Sequence, residues 1–203
     1  MEQTTNQILL RGTLVGLPEL SHENHGKRFF RFLLEVPRLS GTVDTLPVIT
    51  TEEVLQTLDL SSGEMITVSG QVRSHNIHTQ QRRHLLIFVY AAQLTAEDGE
   101  PVNEVIIEGP LCREPTYRKT PLGREICDVM LAVPRAFHRA DYLPCILWGR
   151  TALEASQCHT RDVLRIYGRL QSRLYTKVTE TGTEERTAYE ISALSAEIPD
   201  DVF

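Results

Sequence analysis

The side chains best suited to chemistry in this 203-residue chain lie in its second half, and they are cations and rings. Between Pro110 and Lys177 there are twelve Lys and Arg against six Asp and Glu, a local charge of +6 inside a chain of net charge -6. Arg118, Lys119 and Arg124 bracket a hairpin at Gly123, and Arg135 and Arg139 flank the next turn. Arg165, Arg169, Arg173 and Lys177 recur along one strand-like run. Residues an even number apart on a strand share a face, so these four stand on one side together with Tyr167 and Tyr175. In the run from Tyr142 to Trp148, these two rings project from one face, while Leu143, Cys145 and Leu147 form an apolar set on the other. A bare row of cations is the pattern of a solvated strand that resists edge aggregation. Cations interleaved with rings are what a groove tracking a polyanion with planar groups requires.

Other chemistries have little support. Cys112, Cys127, Cys145 and Cys158 fall at no metal-type spacing and read as free buried thiols. Cys158 and His159 are neighbours in sequence, which rarely converge on one metal, and no second pair joins them. There is no Gly-rich phosphate loop, HExxH, GxSxG or acidic metal cluster, and Asp128 and Asp141 lack matched carboxylate partners. No cofactor, no metal and no catalysis are therefore expected. No run approaches the roughly 18 apolar residues of a membrane span, and MEQTTNQILL lacks the basic and apolar regions of a signal peptide. A cytoplasmic protein without membrane contact is expected.

The elements that position these residues come from a repeat. At an offset of 97, Asn6, Gly12 and Pro18 match Asn103, Gly109 and Pro115; Val36-Pro37-Arg38 matches Val133-Pro134-Arg135; and Asp44-x-Leu46-Pro47-x-Ile49 matches Asp141-x-Leu143-Pro144-x-Ile146. The offset then becomes 98, where Gly70 and Ser74 meet Gly168 and Ser172. The acidic turn AEDGEP at 96–101 separates the copies near Gly99, giving domains at 1–98 and 99–203, and is short enough that they should pack together. Each copy holds five short alternating apolar runs with one helix-compatible segment, TEEVLQTL or RTALEASQ, after the third. The expected fold class is all-β with one short helix per repeat, as two tandem five-stranded OB-fold barrels.

The second copy resembles the bacterial single-stranded DNA-binding protein family. The resemblance rests on Asn103-x-Val-x-Ile-x-Gly109-x-Leu111-x-x-x-Pro115-x-x-Arg118, a glycine hairpin at Gly123, Tyr142 to Trp148-Gly149-x-x-Ala152, and Gly168-x-Leu170-x-x-Arg173 leading to Tyr175, and it covers residues 103 to about 194. It implies a non-catalytic protein that coats and protects single-stranded DNA in replication, recombination or repair, in the bacterial cytoplasm and on the nucleoid. The bases would stack on Trp148, Tyr142 and Tyr175. The phosphates would meet Arg118, Lys119, Arg124, Arg135, Arg165, Arg169, Arg173 and Lys177. Four barrels per assembly are usual in the family, so a two-barrel chain should form a homodimer; Leu143-Pro144 departs from the His-Arg pair common after the first aromatic. The end of the chain, within 197–203, is similar to the family's acidic partner-recruiting tip, with Asp200, Asp201 and Phe203 as anchors for replication or repair proteins.

In the first copy the three stacking positions become Thr45, Thr51 and Ile77, and residues 1–100 hold eight Lys and Arg against twelve Asp and Glu. That barrel is expected to be degenerate, serving structure or oligomerisation, although Arg28, Arg31, Arg73, Arg82, Arg83, His75 and His78 leave a secondary contact patch open. The competing reading of the whole chain is a non-catalytic primosome- or replisome-type adaptor with weak nucleic-acid binding.

Overall fold

Period-two burial shapes both halves of the chain. The computed structural model describes residues 5–78, 83–179 and 182–198. The first half runs β1 (Asn6–Asn24), β2 (Lys27–Pro37), β3 (Val43–Thr51), α1 (Glu52–Leu55), β4 (Met65–His78) and β5 (Arg83–Ala96). The second runs β6 (Val102–Pro110), β7 (Thr116–Lys119), β8 (Glu125–Arg135), β9 (Arg139–Trp148), α2 (Gly149–Ala155), β10 (Val163–Thr179) and β11 (Gly182–Glu197). In β2, Phe32, Leu34 and Val36 turn inward while Arg31, Leu33 and Glu35 face water, and in β9 Leu143, Cys145 and Leu147 are buried.

Closed pairing follows. β1 pairs with β2 and β4, β4 with β5, β5 with β3 and β3 with β2, completing a five-stranded ring. In the second half β6, β10, β11, β9 and β8 follow the same path, and a bridge from Leu111 to Leu131 brings the end of β6 back toward β8. A short helix follows the third strand in each, the OB arrangement. Glycine permits the tight closure: a Cβ on Gly109 would lie 2.6 Å from the Ala132 carbonyl oxygen, and one on Gly168 would strike the Ser192 carbonyl. The copies differ beyond Pro18 and Pro115. Pro115 precedes a broken strand that restarts as β7, whereas β1 continues past Pro18 through a register shift.

The two barrels are joined edge to edge, because β1 pairs antiparallel with β6 and the eleven strands form one sheet. Ile8 lies opposite Val105, its own counterpart at the offset of 97, so a local two-fold axis passes through that pair. Each repeated polar residue at the joint does the same work twice. Asn6 Nδ2–H donates to the Val72 carbonyl at 2.7 Å while its Oδ1 accepts the Val72 N–H at 2.9 Å; Asn103 repeats both bonds to Leu170 at the same distances. These amides extend the pairing of first and fourth strands where the ladder ends.

The repeated aspartates lock one barrel to the other. Asp44, with its side chain fully buried, accepts from Arg38 Nε and Nη2 at 2.7 and 2.6 Å and, across the joint, from Ser172 N–H and Oγ–H at 2.7 and 2.9 Å. Asp141, equally buried, accepts from Ser74 N–H at 2.8 Å and from Arg73 and Arg135, both at 3.3 Å. Burial pushes the Asp44 carboxyl up, but the bonds from Arg38 and Ser172 outweigh it and hold the group below the usual carboxylate range. A carboxylate buried this completely is tolerated because cations and N–H donors surround it.

Candidate nucleic-acid interface

Strand β9 turns alternate side chains out of the second barrel. Tyr142 and Trp148 are 43% and 36% exposed at opposite ends of its outer face, about 20 Å apart at roughly 3.3 Å per residue, with Pro144 and Ile146 between them. Gly149, at φ +57°, turns the chain from Trp148 into α2. The Trp148 indole N–H donates to Ser192 Oγ on β11 at 3.2 Å. That bond holds the ring by its edge, and the side chain stays partly exposed. The Tyr142 N–H donates to Ser74 Oγ of the first barrel at 2.7 Å, which anchors this end of the strand at the joint.

Tyr175 sits on the β10–β11 hairpin, half-buried, with the Arg173 guanidinium 5.7 Å from its ring centroid and Arg186 opposite it on β11. It lines a cavity of about 210 Å³ with Pro144, Tyr189 and Leu85, Leu86 and Ile87 of β5. The hairpin therefore brings Tyr175 near Pro144 of the β9 face. The corresponding first-copy residues are spent otherwise. Thr51 is buried and its Oγ1 accepts the Val54 N–H to cap α1, and Thr45 and Ile77 are half-buried.

The cations are more heavily paired than their spacing suggested. Arg118 holds Asp128 at 2.7 Å, Lys119 holds Glu125 at 3.5 Å, Arg165 lies 3.7 Å from Glu108 and Arg173 lies 3.6 Å from Glu190. Arg135 is bound to Asp141 at the joint. Arg169 is half-buried, with its Nε enclosed and unpartnered. Among the described residues Arg124 and Lys177 form no ion pair, and both are exposed. The row of β10 carries Arg165 over Tyr167 at 5.7 Å, so cations and rings do stack along it. Exposed ion pairs of this kind contribute at most about 1 kcal/mol each, which leaves most of these cations free to exchange a carboxylate for a phosphate.

Some residues escaped the sequence. Ser192 gave no signal, because its role depends on the parallel pairing of β11 with β9. Phe137 stands 90% exposed at the tip of the β8–β9 turn, in the left-handed region at φ +60° between Arg135 and Arg139; an aromatic where the first copy has Ser40 was the available sign. Asp200, Asp201 and Phe203 lie outside the described residues. The thiols are poor nucleophiles: burial raises the Cys127 thiol to about 11 and pushes Cys145 higher still. His159 bonds Glu114 at 3.3 Å, beside the buried Cys158. No helix among the described residues is long and apolar enough to cross a membrane.

Relatives share this geometry. The sequence profile of the single-strand binding protein family matches residues 102–198. Single-stranded DNA-binding protein B of Bacillus subtilis is 36% identical over 80 residues, which cover 36% of this chain and 71% of that protein. Single-stranded DNA-binding protein 1 of Staphylococcus aureus is 35% identical over 81 residues but is covered over only 48% of its length. Both barrels superpose on a deletion variant of the single-stranded DNA binding protein from Thermus aquaticus, with a TM-score of 0.79 and 25% identity over 100% of this chain and 98% of that one. With its second barrel matched in sequence and its whole two-barrel path matched in space, the chain belongs to the single-strand binding protein family.

Proposed function

We propose that this chain binds single-stranded DNA without catalysis, the strand running over the outer face of β9 and along β10. Bases stack on Trp148, Tyr142 and Tyr175. Phosphates meet Arg118, Lys119, Arg124, Arg165, Arg169, Arg173 and Lys177, with Arg135 contributing from the joint. The observation that supports this most is Trp148, tied to Ser192 through its indole N–H and 36% exposed at the end of β9, in a barrel whose β7 and β10 carry Arg118, Lys119, Arg165, Arg169, Arg173 and Lys177. A buried core tryptophan would offer no such surface. Stacking tolerates any base and gives about 1–3 kcal/mol per base, so affinity without sequence preference follows.

Trp148 is the one tryptophan, so its fluorescence reports the site directly. Titration with oligo(dT) is expected to quench it strongly, to weaken steeply as salt rises and to give far less quenching with duplex DNA. No quenching and no retention on oligo(dT) at low salt overturn the proposal in favour of the adaptor reading. Two chains pair to give four barrels, and sedimentation is expected to return twice the 23.0 kDa chain mass. Asp200, Asp201 and Phe203 are assigned to recruiting replication or repair proteins, and their removal is expected to abolish partner capture while leaving the oligo(dT) titration unchanged.

A further inference from the structure

The gap between β6 and β7 is bridged by a carboxylate. Both barrels first clasp the same two backbone segments together. Leu111 N–H donates to the Asp162 carbonyl at 2.9 Å and Arg161 N–H to the Leu111 carbonyl at 3.0 Å; in the first barrel Leu14 N–H donates to Glu64 at 2.8 Å and Gly63 N–H to Leu14 at 2.9 Å. Arg161 and Gly63 take the same left-handed backbone, at φ +82° and +85°. The side chains at the clasp differ. In the first barrel Ser62 Oγ accepts the Gly16 N–H at 3.2 Å. In the second, Glu114 Oε1 accepts the Thr160 N–H at 3.0 Å and the Thr160 Oγ–H at 2.9 Å, and Oε2 lies 3.3 Å from His159 Nδ1. The bonds from Thr160, its N–H first, hold the Glu114 carboxyl below its usual range, so the group is an ionised carboxylate. At the offset of 97 Glu114 becomes Leu17, and at 98 His159 and Thr160 become Ser61 and Ser62. There β1 runs on without a gap.

What this latch holds follows from what β7 lacks. β7 is four residues long, all of them exposed, and lies at the end of the eleven-stranded sheet, paired with β8. A strand so short, with its side chains in water, gains no anchor from the core, so its placement is set at its ends. One end is a tight turn, in which Thr120 N–H donates to the Arg124 carbonyl at 2.9 Å and Gly123 N–H to the Thr120 carbonyl at 2.8 Å. The other is Glu114, joined to β7 through Pro115, whose ring fixes φ and passes the orientation on. Strand register gives that placement a consequence: Arg118 lies opposite Ile126, and Ile126 lies opposite Trp148. Residues paired in this way share a face, so Arg118 stands in the Trp148 row two strands away, about 10 Å. α2 starts directly after Trp148 and leads to His159 and Thr160. Glu114 therefore closes a ring of chain that runs from Trp148 through α2 and Thr160 to β7 and back to the same row.

We infer that Glu114 is a positioning residue for the single strand: through Thr160 and His159 it fixes β7 to the loop between α2 and β10, and so holds Arg118 in the Trp148 row, where the guanidinium meets a phosphate beside the stacked base. Glu114, an anion, acts through Arg118 and not on the strand itself. Arg118 also holds Asp128 at 2.7 Å, a bond that a phosphate must displace. Glu114 keeps β7 in place through that exchange, because its own partners lie outside the row. Its effect runs against its charge: a lone acid near a polyanion weakens binding, whereas this latch strengthens it. The inference rests on the DNA binding proposed for the second barrel.

The test uses the full chain, with oligo(dT) titrated against Trp148 fluorescence at several salt concentrations and hydrogen exchange measured on the free protein. Glu114→Leu, the residue found at this place in the first barrel, is expected to weaken oligo(dT) binding about fivefold and to lower the slope of log affinity against log salt by about one, the effect of one lost phosphate contact. It is also expected to speed exchange of the β7 amides, while quenching at saturation stays as in wild type. Glu114→Gln removes the same charge but keeps an acceptor for Thr160, and is expected to retain the wild-type slope and exchange. Glu114→Leu combined with Arg118→Ala is expected to lower the slope no further than Arg118→Ala alone, because one residue acts through the other. A rise in affinity in both Glu114 variants, as loss of a lone acid gives, an unchanged slope in Glu114→Leu, or additive losses in the double variant overturns the inference. Absent quenching in the wild-type chain, together with faster β7 exchange in Glu114→Leu, overturns the second-barrel reading and upholds the latch.

Discussion

The two barrels agree where they touch and disagree where they face water. At the joint the pairs Asn6 and Asn103, Asp44 and Asp141, and Ser74 and Ser172 sit in equivalent places and make equivalent bonds. On the outer faces Tyr142 and Trp148 oppose Thr45 and Thr51, while Phe88 and Tyr90 oppose Glu190 and Ser192. A buried polar group must be satisfied by protein; the asparagines find their partners within their own barrel, but each aspartate accepts from a serine of the other, so a change at either aspartate orphans a group in both. An exposed ring answers only to its ligand. The joint is therefore held to a repeat, and the outer face is free to differ between the copies.

The agreement at the joint breaks most sharply at Asp44. Asp44→Ala leaves the Arg38 guanidinium, whose side chain is only 19% exposed, without its carboxylate and with the Ser172 carbonyl as a neutral partner, orphans the Ser172 N–H, and is expected to cost about 3–5 kcal/mol. Asp141→Ala is expected to cost less, since its cations lie at 3.3 Å and Arg135 is 32% exposed and can turn to water. Denaturant unfolding of both variants measures the difference; equal losses would mean that the aspartates are equivalent in energy as well as in place. Acid tests the same contact. The folded Asp44 carboxyl is held below its ordinary value, so its contribution is complete above the unfolded value of about 3.9 and is lost as pH falls through the lower, folded one. Circular dichroism against pH is expected to show wild type losing stability over that interval, and Asp44→Asn, already weaker at neutral pH, losing less.

Much of this was legible before any coordinates, for physical reasons. Strand alternation and the offset of 97 give the barrels, because every copy must bury one face of each strand. The paired glycines follow from backbone contact at closure, as Gly109 against Ala132 illustrates. What the repeat could not convey was pairing in space. Arg135 reads as a free cation in sequence, yet it turns to a carboxylate six residues on. Comparing the third strands at the stacking positions finds Thr51 and stops; the ring that stands nearby, Tyr90, belongs to another strand and a different offset. The motif Asp-x-Leu-Pro-x-Ile marked the repeat without revealing that its aspartate serves the opposite barrel.

On the outer faces the expected effects are on binding more than on folding. Trp148→Ala removes the proposed stacking surface and the indole bond to Ser192, and is expected to weaken oligo(dT) affinity by about 5- to 150-fold, equivalent to about 1–3 kcal/mol, with a melting temperature near that of wild type. Thr51→Ala, at the matching place, is expected to do the reverse: loss of the α1 cap costs about 1 kcal/mol of stability and leaves affinity alone. Global unfolding of Trp148→Ala would return that ring to the core.

The smallest expected effect concerns Arg118, where the faces differ in the sign of a neighbour's charge. Arg118 binds Asp128 at 2.7 Å in the second barrel; the first has Arg31 at the place of Asp128, bound to Glu19 at 3.3 Å. The Arg118 side chain is 49% exposed and that of Arg31 66%, so removing either is expected to change stability by under about 1 kcal/mol. Binding separates them. A strand laid over β8 and β9 competes with Asp128 for Arg118, so Arg118→Ala is expected to lower affinity modestly and to reduce the slope of log affinity against log salt by about one. Arg31→Ala is expected to leave that slope alone when the ligand is short enough to occupy the second barrel only, because Arg31 lies on the other barrel. A slope unaltered by Arg118→Ala would mean that the strand leaves the Arg118–Asp128 pair intact and passes nearer β10.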